Sequence, residues 1–226
     1  MNDNEEREVQ VLVVAAHPDD EALGCGGALL HHLQRGHRIH LLFLTDGVSA
    51  RGSDTNASQR RKASKRVSKL LRASSHTQLD FPDNMLDTVP LLELARSIEG
   101  VAIKCRPDVI YTHHLGDLNI DHRRCGEAVL TAFRPLPNAN FSAIYGFEVQ
   151  SSTEWSPRHC FRPTHFVNIT NYLEEKKKLL SEYAEELREF PHPRSLEAVH
   201  ALATWRGSAA GFDAAEAFET LNSRWF

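Results

Sequence analysis

The pattern of hydrophobic and polar residues alternates short apolar runs with longer amphipathic segments. Residues 11–16 form a β-branched apolar run, which is typical of a strand buried on both faces. A helical pattern over residues 22–34 follows and stops near Gly36, a residue type that commonly ends helices. Further apolar runs cover residues 38–44 and 108–112. Strands that alternate with helices predict βαβ units, and therefore an α/β fold with a mainly parallel sheet.

The same pattern predicts four further elements. Residues 57–72 predict a strongly basic helix, and residues 91–104 predict another helix. Residues 143–149 and 163–169 are strand candidates. We expect the basic side chains of the helix at residues 57–72 to be mostly solvated; they are Arg60, Arg61, Lys62, Lys65 and Arg66.

The C-terminal quarter of the chain predicts one long helix and a less regular tail. The helix would begin near Asn171, because Glu174 lies three residues later as in a capping box. Apolar residues recur at helical spacing as far as Phe190, which indicates either a surface helix packed on the core or a subunit interface. From Pro191 onward we expect the chain to fold back over the sheet.

We predict a single domain over residues 1–226, with a flexible N-terminus over residues 1–9. Composition is that of a folded globular protein: 41% of the 226 residues are hydrophobic and 25% are charged. The net charge of −4 disfavours nucleic acid as the main partner.

No apolar run is long enough to cross a membrane, and the acidic N-terminus is unlike a signal peptide, so we expect a cytoplasmic protein. The four scattered cysteines indicate reduced thiols.

Two polar clusters follow predicted strands. Residues 16–21 have the sequence Ala-His-Pro-Asp-Asp-Glu directly after the first strand, and residues 113–123 follow the strand at 108–112. Ligands of parallel sheets bind outside the carboxyl ends of the strands, so we expect the two clusters to meet at one edge. The sequence thus predicts a single site built from distant segments.

The residue types in these clusters favour a metal site. A histidine and an aspartate three residues apart, joined by a distant histidine, would give three nitrogen and oxygen ligands. Catalytic zinc keeps three protein ligands and leaves one position for water, whereas Mg²⁺ prefers oxygen ligands alone. Of the two adjacent aspartates, Asp19 and Asp20, one would then serve as a metal ligand and the other as a base. The alternative is that Asp19 or Asp20 simply caps the following helix.

The glycines Gly24, Gly26 and Gly27 do not form a dinucleotide-binding loop, because position 29 is Leu29 and the glycines lie inside the predicted helix. Close packing of the helix on the sheet explains them better. The sequence contains neither a phosphate-binding P-loop nor a G-x-S-x-G nucleophile motif.

These motifs together resemble the PIG-L/LmbE-like N-acetylglucosaminyl deacetylases. The resemblance extends from about Val11 to Phe218 and is carried by five segments: residues 16–27, 45–47, 81–84, 113–123 and 151–155. It implies a Rossmann-like α/β sandwich of three layers. It also implies zinc-dependent removal of an N-acetyl group from a GlcNAc-like amino sugar or glycoconjugate, with Fe²⁺ as an alternative metal.

The resemblance also assigns roles to individual residues. It implies that the metal ligands are His17, Asp20 and His122. Asp19 would be the general base that activates the attacking water and then protonates the leaving amine. The carboxylate of Asp121 would orient its neighbours. Arg60 resembles the family's active-site arginine.

The chain departs from the family at Asn119, where many members carry a histidine that assists the oxyanion or the leaving group. An amide can donate a hydrogen bond but cannot carry a proton at neutral pH. Either Asn119 donates alone, or one of His113, His114 and His192 supplies the charge.

Two other functions stay open: a metal-dependent amidase or esterase acting on a non-sugar acyl group, and a non-catalytic sugar- or metal-binding protein. A homo-oligomer is possible as well.

Overall fold

The computed structural model describes residues 8–47, 54–137, 139–157 and 160–225. Within these residues, six α-helices flank one sheet of seven strands, in the order β3-β2-β1-β4-β5-β7-β6. The elements are β1 (Gln10–Ala15), α1 (Asp20–Gln34), β2 (Arg38–Thr45), α2 (Asp54–Leu70), β3 (Ser75–Phe81), α3 (Leu91–Cys105), β4 (Val109–His113), α4 (Ile120–Ala132), β5 (Ala143–Phe147), β6 (His165–Asn168), α5 (Leu173–Ser181), α6 (Leu196–Ala210) and β7 (Ala215–Ser223).

The first five strands are parallel, and β7 runs antiparallel to both of its neighbours, β5 and β6. The order 3-2-1-4-5 is that of a Rossmann-type sheet without its last strand. Since helices cover both faces, the predicted three-layer α/β class is confirmed.

Strand β1 explains the two layers of core. Its side chains alternate between the faces, so Val13 packs in the layer of α1 and α2, while Val14 packs in the layer of α3 and α4. All residues of β1 after Gln10 are buried. The continuous apolar run that marks this strand in the sequence follows from burial on both faces.

Helix α1 lies very close to the sheet. A Cβ atom at Gly24 would overlap the ring of Phe147 in β5, and one at Gly27 would lie 2.7 Å from Ile169 Cγ2. Close packing of the helix on the sheet therefore explains Gly24, whereas Gly27 packs on Ile169 just after β6 and Gly26 faces Leu179 of α5. Their close approach holds the first turn of α1 against the ends of the central strands.

Helix α1 is also kinked at Cys25, which has φ −143°. Beyond the kink, the amides of Gly27 and Ala28 donate to the Glu216 carboxylate at 2.8 and 2.7 Å. The Lys176 ammonium donates to Leu23 O and to Glu216 at 2.7 and 2.6 Å. This buried pair satisfies backbone groups around the break.

The C-terminal quarter differs from the sequence prediction. The helix beginning near Asn171 is short: α5 ends at Ser181, and Tyr183 and Glu186 then donate i→i−3 bonds typical of tight turns. The tail after Pro191 is regular, since it forms α6 and the inserted strand β7. Two elements of the middle region, β3 and α4, were missed by the sequence analysis. The predicted flexible N-terminus falls largely on residues 1–7, which lie outside the described residues.

Candidate metal and catalytic site

The two polar clusters meet at the carboxyl ends of β1 and β4, as the sequence predicts. His17 follows β1, and His122 lies in the first turn of α4, which follows β4. The His17 Nδ1 and His122 Nε2 atoms are 3.2 Å apart although 105 positions separate the residues. Both side chains are buried. The parallel order of β1 and β4 therefore builds one site from the two segments.

Asp20 completes a group of three donor atoms. Its Oδ2 lies 3.2 Å from His17 Nδ1, and its Oδ1 lies 3.4 Å from His122 Nε2. Tetrahedral zinc with ligands about 2.0–2.1 Å away requires ligand atoms separated by about 3.3–3.4 Å. Among the described residues, the buried Asp20 Oδ1 accepts no hydrogen bond. The donor set thus fits a divalent metal that accepts both nitrogen and oxygen.

The outer nitrogen of His17 points to two carboxylates. His17 Nε2 lies 3.1 Å from Asp121 Oδ2 and 3.3 Å from Asp83 Oδ1. Asp121 also accepts the backbone amides of Asn84 and Leu86, at 2.7 and 2.9 Å. Because both oxygens of Asp121 already accept hydrogen bonds, the arrangement orients the His17 ring and is poorly suited to a second metal.

Asp117 is the corresponding partner of His122, and the sequence analysis gave it no role. Asp117 Oδ1 lies 3.2 Å from His122 Nδ1. Ser152 and Thr153 both donate their hydroxyl hydrogens to this carboxylate. Burial raises the pKa of Asp117, but the hydrogen bond and charge of His122 outweigh burial and hold the pKa below its usual range. The motif at 151–155, noted in the sequence only as a family resemblance, supplies these two hydroxyls.

Asp19 lies at the N-cap position of α1 but does not cap it, since its side chain accepts no hydrogen bond from the first turn. Its carboxylate instead contacts two guanidinium groups: Oδ1 lies 2.6 Å from Arg60 Nη2, and Oδ2 lies 3.0 Å from Arg194 Nη1. Asp20 does not cap the helix either, because its Oδ2 accepts the backbone amide of His17 at 2.8 Å. The helix-cap alternative for both aspartates is wrong.

The backbone of Asp19 is held in an uncommon conformation, with φ 123°. Its amide donates to Glu21 Oε2 at 3.0 Å, and Tyr183 donates to the other oxygen of Glu21 at 2.6 Å. Burial raises the pKa of Glu21 to about 7. Burial also raises the pKa of Asp19, although Arg60 and Arg194 act in the opposite direction. A carboxylate with such surroundings is suited to proton transfer.

Arg60 is the exception among the basic residues of α2. Its side chain is 5% exposed, so the prediction of a mostly solvated Arg60 is wrong, whereas the other four basic residues named with it are exposed. Arg60 donates to Pro18 O at 2.7 Å and to Gly47 O at 2.8 Å. These bonds direct the guanidinium towards the turn that carries Asp19.

Asn119 begins helix α4. Its Oδ1 accepts the amides of Asp121 and His122 at 2.8 and 3.4 Å, as an N-cap side chain does. With the oxygen committed to the helix, only Nδ2 is left to donate to a substrate. The assignment of Asn119 to oxyanion binding therefore stays a prediction, and it would rest on that one group.

The three alternative histidines have other partners. His113 Nε2 accepts the amide of Ala16 at 2.9 Å, and burial lowers the pKa of His113 well below its usual value. His114 Nδ1 lies 2.6 Å from a Glu219 carboxylate oxygen. His192 Nδ1 accepts the amide of Arg194 at 3.0 Å. His113 also lies beside the triad, with its Nε2 3.4 Å from Asp20 Oδ2 and its ring stacked on His122. Because this Nε2 accepts the Ala16 amide, it carries no proton to donate there.

The fold and the site together define an α/β protein with a candidate metal site. Two histidines and an aspartate converge at the carboxyl edge of its Rossmann-like sheet. The sequence profile of the PIG-L family, GlcNAc-PI de-N-acetylase, matches residues 12–133, and the chain belongs to this family. The predicted family is therefore confirmed.

Comparison with individual relatives agrees with the family. The chain is 31% identical to the uncharacterized deacetylase YaiS of Escherichia coli (strain K12) over 147 residues, which are 63% of this chain and 75% of that protein. It is 29% identical to the diacetylchitobiose deacetylase of Thermococcus kodakarensis over 230 residues, covering 92% of this chain and 81% of that protein. The crystal structure of the conserved protein TT1542 of Thermus thermophilus matches with 26% identity and a TM-score of 0.77, covering 96% of this chain and 97% of that one. The family and these relatives agree with the prediction that the protein is a deacetylase, which is a kind of hydrolase.

Proposed function

We propose that this protein is a metal-dependent hydrolase that removes the N-acetyl group from a GlcNAc-like amino sugar or glycoconjugate. The observation that carries the proposal is the triad of His17, Asp20 and His122 beside an Asp19 carboxylate that does not cap its helix. Family membership and the deacetylases among its relatives support the reaction type. A Zn²⁺ or Fe²⁺ ion held by the triad would polarise the acetamide carbonyl and acidify a water molecule.

The residues of the chain account for the proton transfers. Asp19 accepts a proton from the attacking water as the new carbon–oxygen bond forms. It then donates this proton to the amine nitrogen as the carbon–nitrogen bond breaks, which releases acetate and the free amino sugar. Asp121 and Asp117 keep the two histidine rings in orientation, and Asn119 Nδ2 would donate to the oxyanion.

Substrate selection would fall to residues 81–87 and 150–162, because described residues of both segments lie near the triad. Asp83 of the first lies 3.3 Å from His17, and Ser152 of the second contacts Asp117.

A cytoplasmic location is part of the proposal, supported by Cys25, whose buried thiol is free. Among the described residues, no helix is long and apolar enough to cross a membrane.

The test is an assay of acetate release by purified, zinc-loaded protein from N-acetylglucosamine, diacetylchitobiose and a matched set of N-acyl amino compounds. We expect turnover on the sugars, with Asp19→Asn lowering kcat by about 10²–10⁴-fold at unchanged metal content. His122→Ala should lose most of its metal by elemental analysis. Asp80→Asn, in an exposed residue that contacts Arg61, is the matched control. Turnover only on the non-sugar compounds, or equal kcat in Asp19→Asn, would overturn the proposal.

A further inference from the structure

The loop between α5 and α6, residues 182–195, brings two charged side chains to Asp19. Arg194 lies 3.0 Å from Asp19 and also donates its Nε hydrogen to Ser151 Oγ at 2.7 Å. Glu186 is buried and lies 2.9 Å from Arg60 Nη1 and 3.3 Å from Arg194 Nη1. The sequence pattern predicted Glu186 within a long helix and gave Arg194 no role.

The four side chains close a ring of alternating charge. Each guanidinium, of Arg60 and of Arg194, lies between the carboxylates of Asp19 and Glu186. Two positive and two negative charges balance, which lessens the cost of burying Asp19, Arg60 and Glu186 beside the partly exposed Arg194. Each oxygen of Asp19 contacts a different guanidinium, so rotation of its carboxylate would break an ion pair.

The ring, together with the bond from Arg194 to Ser151, joins three loops of the molecule. Asp19 belongs to the turn after β1, Arg194 and Glu186 belong to the 182–195 loop, and Ser151 belongs to the loop after β5. Surface ion pairs contribute little fixed geometry, whereas buried charge-assisted contacts such as that of Arg60 with Asp19 are stronger. The position of Asp19 relative to the loops around the triad is thus set by this ring.

We propose that Arg194 and Glu186 are positioning residues that hold the Asp19 carboxylate in the orientation required for proton transfer, with Glu186 balancing the two guanidinium charges. This inference rests on the proposed function, in which Asp19 is the base. Arg194 contacts Asp19 directly, whereas Glu186 acts through Arg60 and Arg194. Neither residue contacts the three donor atoms, so metal binding does not depend on them.

The experiment compares kcat, KM and metal content for Arg194→Ala, Arg194→Lys and Glu186→Gln in the zinc-loaded protein. Loss of a positioning partner next to a reactive group typically lowers activity about 10–100-fold. We expect such a fall in kcat for Arg194→Ala and Glu186→Gln, with KM and metal content close to those of the parent. Arg194→Lys should recover part of kcat, and millimolar guanidinium should partly restore Arg194→Ala. The control is Arg188→Ala, since the Arg188 side chain is exposed and, among the described residues, donates only to Glu185 O and Leu187 O.

Each outcome has one meaning. Unchanged kcat in Arg194→Ala, a rise in KM alone, or loss of metal would overturn the positioning role. If Arg194→Ala does not fold, Glu186→Gln decides, because its shape is conserved. An inactive parent, or an Asp19→Asn variant as active as the parent, would instead reject the proposed function. The two failures are therefore distinguishable.

Discussion

Single residues explain how the histidines of the triad are fixed. Each uses one ring nitrogen towards the other donor atoms and the second towards a carboxylate: Asp121 for His17, and Asp117 for His122. Such a partner sets which nitrogen carries the proton and how the ring is turned. Both carboxylates come from the segment after β4: Asp117 precedes α4, and Asp121 lies in its first turn.

Asp117→Asn should lower metal affinity about 10–100-fold, because an amide keeps the shape but loses the charge that orients His122. Competition with a chromogenic chelator measures the affinity. Asp87→Asn, an exposed aspartate in the 81–87 loop, is the control. Equal affinity in the parent and Asp117→Asn would show that Ser152 and Thr153 alone hold the loop around His122.

Sequence patterns located the triad because its residues sit in short motifs at strand ends, where topology alone brings them together. They could not locate Arg194, which has no distinctive neighbours and reaches Asp19 through tertiary contact alone. Arg60 was predicted to be solvated because its helix is basic throughout, yet that residue faces inward. Charge alone does not reveal which residues of a uniformly charged helix face the core.

Among the elements, those with strong local patterns were predicted well. Strand β1, helix α1 and strand β2 follow the apolar runs within about two residues. Strand β3 was missed because it is polar and half-buried at the sheet edge. The predicted long helix fails after Ser181, where tight turns let Tyr183 reach Glu21 and Glu186 reach Arg60. Local periodicity persists there, but tertiary contacts decide the backbone.

The kink in α1 makes the Lys176–Glu216 pair structurally important. Lys176→Met or Glu216→Gln should lower the free energy of unfolding by about 3 kcal/mol, since each leaves a buried charge without its partner. Urea unfolding gives the value. Lys177→Met, which removes a contact with the exposed Glu174, should cost less than about 1 kcal/mol. Similar losses in both lysine variants would mean that the buried pair has no special role at the kink.

At the scale of the whole molecule, His32 links stability to pH. Burial lowers the pKa of His32 to about 3, helped by positive charge on its neighbours. Its ring contacts His37 and Tyr111, and the charged or titratable groups around it are His31, Arg35, His37 and His165. In the unfolded chain the pKa of histidine is about 6.5. Below that pH the unfolded chain binds a proton that the folded protein does not.

This imidazole should therefore lower the free energy of unfolding by about 1 kcal/mol between pH 7 and pH 5.5. His32→Gln should remove that part of the pH dependence, whereas His200→Gln, in an exposed residue of α6, should not. Urea unfolding at the two pH values supplies the comparison. The same slope in His32→Gln and in the parent would show that folding does not lower the pKa of His32.

Strand β7 has a consequence for how the protein is made. The turn that carries Asp19 and Asp20 is synthesised early, but the carboxylate that supports α1 behind it, Glu216, belongs to β7. Strand β6 likewise pairs with β7 in the sheet order. During synthesis, the turn that carries Asp19 and Asp20 therefore lacks the support of Glu216 until β7 has left the ribosome and inserted between β5 and β6. Capacity to bind metal should therefore appear only after β7 has been synthesised.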